Sequence, residues 1–170
     1  MKTNAVIVMG VSGSGKTTIG AALAGRLGWA FADADDYHPA ANREKMSRGI
    51  PLTDEDRVPW LEALHEVIAE HVRRGRPLVL ACSALKESYR RILIGDLGGV
   101  RIVFAQGSRE LIAGRMSARQ HFMPVTLLDS QFAALEVPEG ALTVDISRPL
   151  EEIVGLLAAE LTDPAPGHPA

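Results

Sequence analysis

The sequence predicts an α/β protein in which a five-stranded parallel sheet is flanked on both faces by helices. Three observations carry that prediction. Strand-like and helix-like patterns alternate along the chain, as in a doubly wound sheet. The first strand and first helix bracket Gly10 to Thr17, GVSGSGKT, which meets GxxxxGK[ST] at every fixed position. The chain has 170 residues, no internal repeat, and a 46% hydrophobic content, which suits one domain with its own core.

Taken in order, Ala5-Val6-Ile7-Val8-Met9 reads as a buried parallel strand and Thr18 to Leu27 as the helix that follows. Between them, Gly10, Gly13 and Gly15 are expected to take positive φ and let the backbone approach an anion. Gly10, Ser12, Gly13, Ser14, Gly15, Lys16, Thr17 and Thr18 form the expected phosphate cradle. Lys16 supplies a mobile charge for the β- and γ-phosphates, and the Thr17 hydroxyl is placed to ligate Mg²⁺.

Ala30-Phe31-Ala32 is the second strand, and Asp33-Ala34-Asp35-Asp36 follows at its carboxyl end, the edge where open α/β sheets bind ligands. If that stretch is extended, Asp33 and Asp35 share one side of it. One carboxylate could then organise magnesium-bound water while the other accepts a proton from an acceptor hydroxyl; a solvated acidic loop capping the next helix is the plain alternative. Pro39 opens a helix to about Arg48, ended by Gly49 and Pro51. Thr53 and Asp56 resemble a capping box with Asp in place of Glu or Gln. The helix they open carries Trp60, Leu61, Leu64, Val67, Ile68 and Val72 at helical spacing, which reads as core.

Pro77 to Ala81 is the third strand, with a helix from Lys86 to about Leu93. Val100 to Ala105 is the fourth strand, and Ser108 caps a helix to about Ser117. Arg115 and Arg119 lie four apart at the end of that helix, so they share a face; one could cover an adenine while the other reaches the transferring phosphoryl group. Solvated surface arginines are the alternative. Residues 119–137 are too long for a plain connection and read as a lid. Leu142 to Asp145 is the fifth strand, Pro149 opens the last helix, and 162–170 reads as a mobile tail.

Composition excludes some functions. A net charge of −3 argues against a nucleic-acid or anionic-membrane partner. Cys82 is the only cysteine, so no intrachain disulfide forms, and no segment has the apolar length to span a bilayer. A soluble, cytoplasmic protein is expected. The third strand ends Ala81-Cys82-Ser83, without the aspartate that a nucleotide switch keeps there, and no guanine-reading NKxD is present. Asp96-Leu97-Gly98-Gly99 matches DxxG but lies in the turn after a helix.

Several longer strings stand out: GVSGSGKT; Asp33-Ala34-Asp35 with His38-Pro39, Asn42, Lys45-Met46 and Gly49; Pro51 to Arg57 with Pro59-Trp60-Leu61; CSALK with Tyr89-Arg90; and His121-Phe122-Met123-Pro124, Leu127-Leu128, Ser130-Gln131-Phe132 and Leu135-Glu136. Together they resemble one family, the bacterial-type gluconokinases. The likeness runs from about Ala5 to Leu161. It implies a three-layer P-loop kinase fold related to shikimate and nucleoside monophosphate kinases, ATP and Mg²⁺ as cofactors, and phosphorylation of D-gluconate at its 6-hydroxyl, commonly by a homodimer. A kinase for another small hydroxy acid, or a nucleotide-dependent binding switch, is the alternative.

By that resemblance Asp35 is the base and acceptor-binding carboxylate, with Asp33 nearer the magnesium shell. Lys16, Asp35 and Arg119 make the catalytic set, and Arg115 and Arg148 border the nucleotide. A sugar acid needs a cation for its carboxylate, and Arg57, Lys86 and Arg90 are candidates. His38, Lys45 and His121 complete the substrate-binding set. For each, a structural ion pair or turn hydrogen bond is the alternative. Only Gln120 separates Arg119 from His121, one residue fewer than the family pattern.

Overall fold

A computed structural model describes residues 2–118 and 126–162. Its strands are Ala5–Met9 (β1), Ala30–Asp33 (β2), Leu78–Ala81 (β3), Val100–Gln106 (β4) and Leu142–Asp145 (β5), all parallel, in the order β2-β3-β1-β4-β5. The helices are Lys16–Leu27 (α1), Ala40–Ser47 (α2), Asp54–Arg73 (α3), Glu87–Ile94 (α4), Arg109–Ala118 (α5), Thr126–Ala134 (α6) and Leu150–Thr162 (α7).

The central strand is apolar throughout because helices cover both faces of the sheet. Successive side chains point to opposite sides. Val6 and Val8 therefore pack in one cluster with Ile19 and Leu23 of α1, Ile112 and Met116 of α5, Leu128 of α6, and Ile153 and Leu157 of α7. Ala5, Ile7 and Met9 pack in the other, with Trp60, Leu61, Leu64 and Ile68 of α3 and Tyr89 and Leu93 of α4. The three layers follow from that division. Val8 and Asp33 both pair with Ala81, so the carboxyl ends of β1, β2 and β3 finish level. Gly10, Ala34 and Ser83 consequently leave the sheet along one edge.

Local signals set the helix ends. Asp56 does act in a capping box: its N–H donates to Thr53 Oγ1 at 3.1 Å, and its Oδ2 accepts from the Thr53 N–H at 2.9 Å. Aspartate suffices because its carboxylate reaches the cap backbone from N3. Gly49, at φ 75°, terminates α2 in the left-handed conformation.

Three expectations need correction. Gly10 is not among the positive-φ glycines, which include Gly13 (79°) and Gly15 (86°). Its need is space, since a Cβ there would stand 2.6 Å from Ser14 Oγ and 3.1 Å from Ala105 O. The stretch after Asp33 is not extended but a 3-10 turn, Ala34–Tyr37. Part of the long segment before β5 is helical, as α6, and α7 continues through Thr162. Arg119 and His121 lie outside the described residues, as does the tail from 163 onward. Among the described residues no helix is long and apolar enough to cross a membrane.

Candidate active site

The phosphate loop sits between β1 and the N-terminus of α1, where unpaired helix N–H groups favour an anion. Beside it opens a cavity of about 510 Å³ lined by the loop from Ser12 through Thr18, with Asp35, Arg115 and Arg148. Apolar side chains of Ile146, Leu150 and Ile153 form its far wall, a surface suited to a flat base. Arg115 is oriented by donating to the Ile146 carbonyl at 2.8 Å, and Arg148 by pairing with Glu152 at 2.6 Å. Lys16 curls over the loop, its Nζ 3.5 Å from the Val11 carbonyl, too long for a strong bond. Ser14 Oγ is the buried side-chain polar atom left without a partner among the described residues.

The two carboxylates meet the loop differently. Asp33, at the end of β2, accepts from the Thr17 hydroxyl at 2.9 Å through Oδ2 and from the Asp35 N–H at 2.9 Å through Oδ1. It thereby caps the 3-10 turn that aims Asp35 into the cleft. The turn is clamped twice more, by Trp60 Nε1 donating to the Ala34 carbonyl (2.7 Å) and by Arg43 donating to the Asp35 carbonyl (2.7 Å). Burial pushes the Asp35 carboxyl above its ordinary range, partly offset by the nearby Lys16 ammonium. Thr17 and Asp33 offer a hydroxyl and a carboxylate side by side, oxygen donors that fit the magnesium of a nucleotide complex.

A second, smaller cavity of about 60 Å³ adjoins the first, and Ser12, Lys16 and Asp35 line both. Its other walls come from His38, from Met46 to Leu52 in part, from Arg57 and Trp60 of α3, from Ser83 and Leu85 after β3, and from Leu127, Ser130 and Gln131 of α6. His38 stacks on Trp60 with ring centroids 4.0 Å apart and is buried. Burial, with Arg57 and Arg43 nearby, lowers its pKa to about 4, so the ring is neutral at pH 7. The Asn42 amide nitrogen donates to the Asp56 carbonyl at 2.9 Å and lies 3.3 Å from His38 Nδ1. Nδ1 therefore accepts, and the proton sits on Nε2, 4.0 Å from Asp35 Oδ1. Arg57 donates to the Leu52 carbonyl (2.6 Å) and to the Tyr89 hydroxyl (3.2 Å), which fixes its guanidinium at the cavity wall.

Three other basic residues of the expected substrate-binding set are not brought to this cavity. Lys45 pairs with Asp56 at 2.8 Å, bracing α2 against the start of α3 and holding the Asp56 carboxyl down to about 2. Lys86 pairs with Asp54 at 3.1 Å. Arg90 is buried, and its guanidinium donates to the carbonyls of Ala84 (2.7 Å) and Glu136 (3.0 Å). Ala84 has φ 44°, an uncommon value for a residue with a Cβ, and the Arg90 bond helps hold that turn, from which Ser83 and Leu85 face the cavity.

A family model described as an AAA domain matches residues 6–138. A protein named probable gluconokinase from Mus musculus is 46% identical over 92% of this chain and 96% of its own length. A gluconokinase from Gluconobacter oxydans is 52% identical over 81% of this chain and 78% of its own. The chain belongs to the gluconokinase family. The crystal structure of a gluconokinase from Sinorhizobium meliloti agrees, with a TM-score of 0.85 and 46% identity over 95% of this chain and 93% of that one. The five-stranded parallel sheet and its flanking helices are the P-loop kinase fold of this gluconokinase family.

The sequence pattern assigns Trp60 to the core, gives Arg43 no role, and marks Gln131 only as part of the family string Ser130-Gln131-Phe132. Trp60 is core, but it also braces the Asp35 turn and walls the cavity. Gln131 had a readable signal, for it stands four residues after Leu127 and three after Leu128, a polar residue aligned with an apolar helical stripe. Nothing local marks Arg43, whose role exists only once the 3-10 turn is folded.

Proposed function

We propose that this chain transfers the γ-phosphoryl group of MgATP to the 6-hydroxyl of D-gluconate, giving 6-phosphogluconate and ADP. The observation that carries the reading is that Lys16 and Asp35 stand on both cavities, so a nucleotide in one and a polyol in the other meet between a cation and a carboxylate. The larger cavity takes the nucleotide: loop N–H groups grip its phosphates, and Arg115 and Arg148 flank the base. Magnesium enters with the nucleotide, and Thr17 with Asp33 are the side chains that fit it.

In the smaller cavity, Arg57 binds the carboxylate of the sugar acid. His38 Nε2–H donates to a hydroxyl, and Asp35 accepts a hydrogen bond from the 6-hydroxyl. As the new O–P bond forms and the bond to the ADP oxygen breaks, the hydroxyl proton passes to Asp35, whose raised pKa makes it a better base than an ordinary carboxylate. Lys16 stabilises the charge moving onto the phosphate oxygens. Lys45, Lys86 and Arg90 act through the elements they brace; by the family resemblance Arg119 belongs to the catalytic set and His121 to the substrate-binding set. A cavity of about 60 Å³ holds on the order of four waters, so a six-carbon acid requires its walls to part. A homodimeric, cytoplasmic enzyme completes the reading.

A coupled assay of ADP release with gluconate, shikimate and no acceptor tests it. Acceleration by gluconate is expected. Acceleration by shikimate alone would transfer the assignment to another hydroxy-acid kinase, and full-rate release without acceptor would replace the kinase by a nucleotide hydrolase.

A further inference from the structure

Helix α6 carries Gln131 to the place where the two cavities touch. Its Oε1 accepts a 2.6 Å hydrogen bond from the backbone N–H of Ser12, a residue that lines both. A side chain from the acceptor wall thus holds a main-chain donor of the phosphate loop. The helix is seated there by independent contacts. Leu128 is fully buried in the cluster that includes Val11 of the loop. On the outside, Arg109 at the start of α5 forms a two-point ion pair with Asp129, at 2.5 and 3.2 Å.

The acceptor cavity is too small for a sugar acid unless a wall moves, and α6 supplies Leu127, Ser130 and Gln131 to that wall. Any shift of α6 that enlarges the cavity therefore lengthens or breaks the Gln131–Ser12 bond. We propose that Gln131 is a positioning residue that links occupancy of the acceptor cavity to the set of the phosphate loop, favouring transfer to a hydroxyl over transfer to water. The proposal rests on the kinase reading above. Its physical basis is that loop amides act together as an anion cradle. A partly buried N–H without a partner is costly, so an unheld Ser12 turns to find one and disturbs the amides that follow.

The test compares ADP release with 6-phosphogluconate formation, in the same reactions, for the whole chain and for Gln131→Met, which keeps length and packing but lacks the acceptor oxygen. Expected for Gln131→Met are a loss of about tenfold in phosphoryl transfer, an ATP KM within about twofold of wild type, and a several-fold larger share of ADP released without product. Gln131→Glu, which retains an oxygen acceptor, should restore the match between ADP and product even where its charge slows turnover. A merely structural role would lower both products together and leave their ratio alone, which would overturn the inference. Asp129→Asn, outside the cavities, loosens the same helix and should raise the uncoupled share to a smaller extent. If Gln131→Met does not fold, an unchanged ratio in Asp129→Asn overturns the inference. A wild-type protein that ignores gluconate overturns the kinase reading instead.

Discussion

The two cavities proposed for the nucleotide and the acceptor are built on opposite plans. The nucleotide side is a continuous run, Ser12 to Thr18, that presents main-chain N–H groups around a cavity of about 510 Å³. The acceptor side is a tight space of about 60 Å³ assembled from side chains of α3, α6 and the turns after β2, α2 and β3. Backbone amides suit a ligand whose charge is always in the same place, because glycine and helix geometry alone can aim them. A polyol acid has to be told from its relatives by hydroxyl positions, and only side chains from several elements can be spaced to do that. The cations show the same contrast. Lys16 is only loosely held, whereas among residues lining the acceptor cavity Arg57 is fixed by two hydrogen bonds.

If the two sides meet through Asp35, removing its carboxylate should be the most damaging change to turnover that leaves nucleotide binding intact. Asp35→Asn is expected to cut kcat by about two to four orders of magnitude with little change in ATP affinity. Single-turnover rates and nucleotide titration check this, and near-normal turnover would remove Asp35 from its role. The wild-type rate should also fall at acid pH. In the proposed role the active form is the carboxylate, and burial raises its pKa, so activity should be lost as pH drops through a value above that of an ordinary aspartate. Asp35→Asn should abolish that limb.

A smaller effect separates the sides. Arg57→Ala should raise the gluconate KM by about tenfold to a hundredfold, the range for one charge-assisted contact, while the ATP KM stays put. Steady-state kinetics with each substrate varied in turn reads the split. An unchanged gluconate KM would shift the carboxylate contact to another residue.

The same contrast governs what the sequence disclosed. Strand order aside, β1 and β3 could be read from their buried apolar runs, and the whole phosphate loop from eight contiguous residues, because burial and anion binding there are local properties of the chain. The acceptor side was readable, beyond Asp35 and His38, only as a set of basic residues. Arg57, Lys45, Lys86 and Arg90 look alike in a sequence; what separates them is which carboxylate or carbonyl the fold places beside each. Arg90 is directed to Ala84 and Glu136, Lys45 to Asp56 and Lys86 to Asp54, and no spacing rule announces those pairs. The 3-10 turn was missed for a related reason. Asp33 has a side chain that can replace a strand partner by capping its own next turn, and that competition between local and ladder hydrogen bonds is settled by Trp60 and Arg43, both distant in sequence.

The least disruptive test at neutral pH concerns His38, which joins the acceptor cavity to the core through its stack on Trp60. In the folded protein its pKa is lowered to about 4, against 6.5 for the free side chain, chiefly by burial. Between those values the unfolded chain binds the proton and the folded one does not, so stability falls as pH drops from about 6.5 to about 4, by at most roughly 3 kcal/mol. Two aspartates near it behave otherwise. Asp56, held down to about 2, gives up its contribution only at lower pH as the pH falls toward that value. Asp35, raised, takes up its proton more readily in the folded state, which opposes the His38 effect. The decisive quantity is therefore a difference: the fall in Tm from pH 6.5 to pH 4 should be smaller in His38→Gln than in wild type. Equal falls in the two proteins would mean that His38 meets water on the acceptor side and carries a proton there, which would replace the neutral hydrogen-bond donor at that wall by a cation.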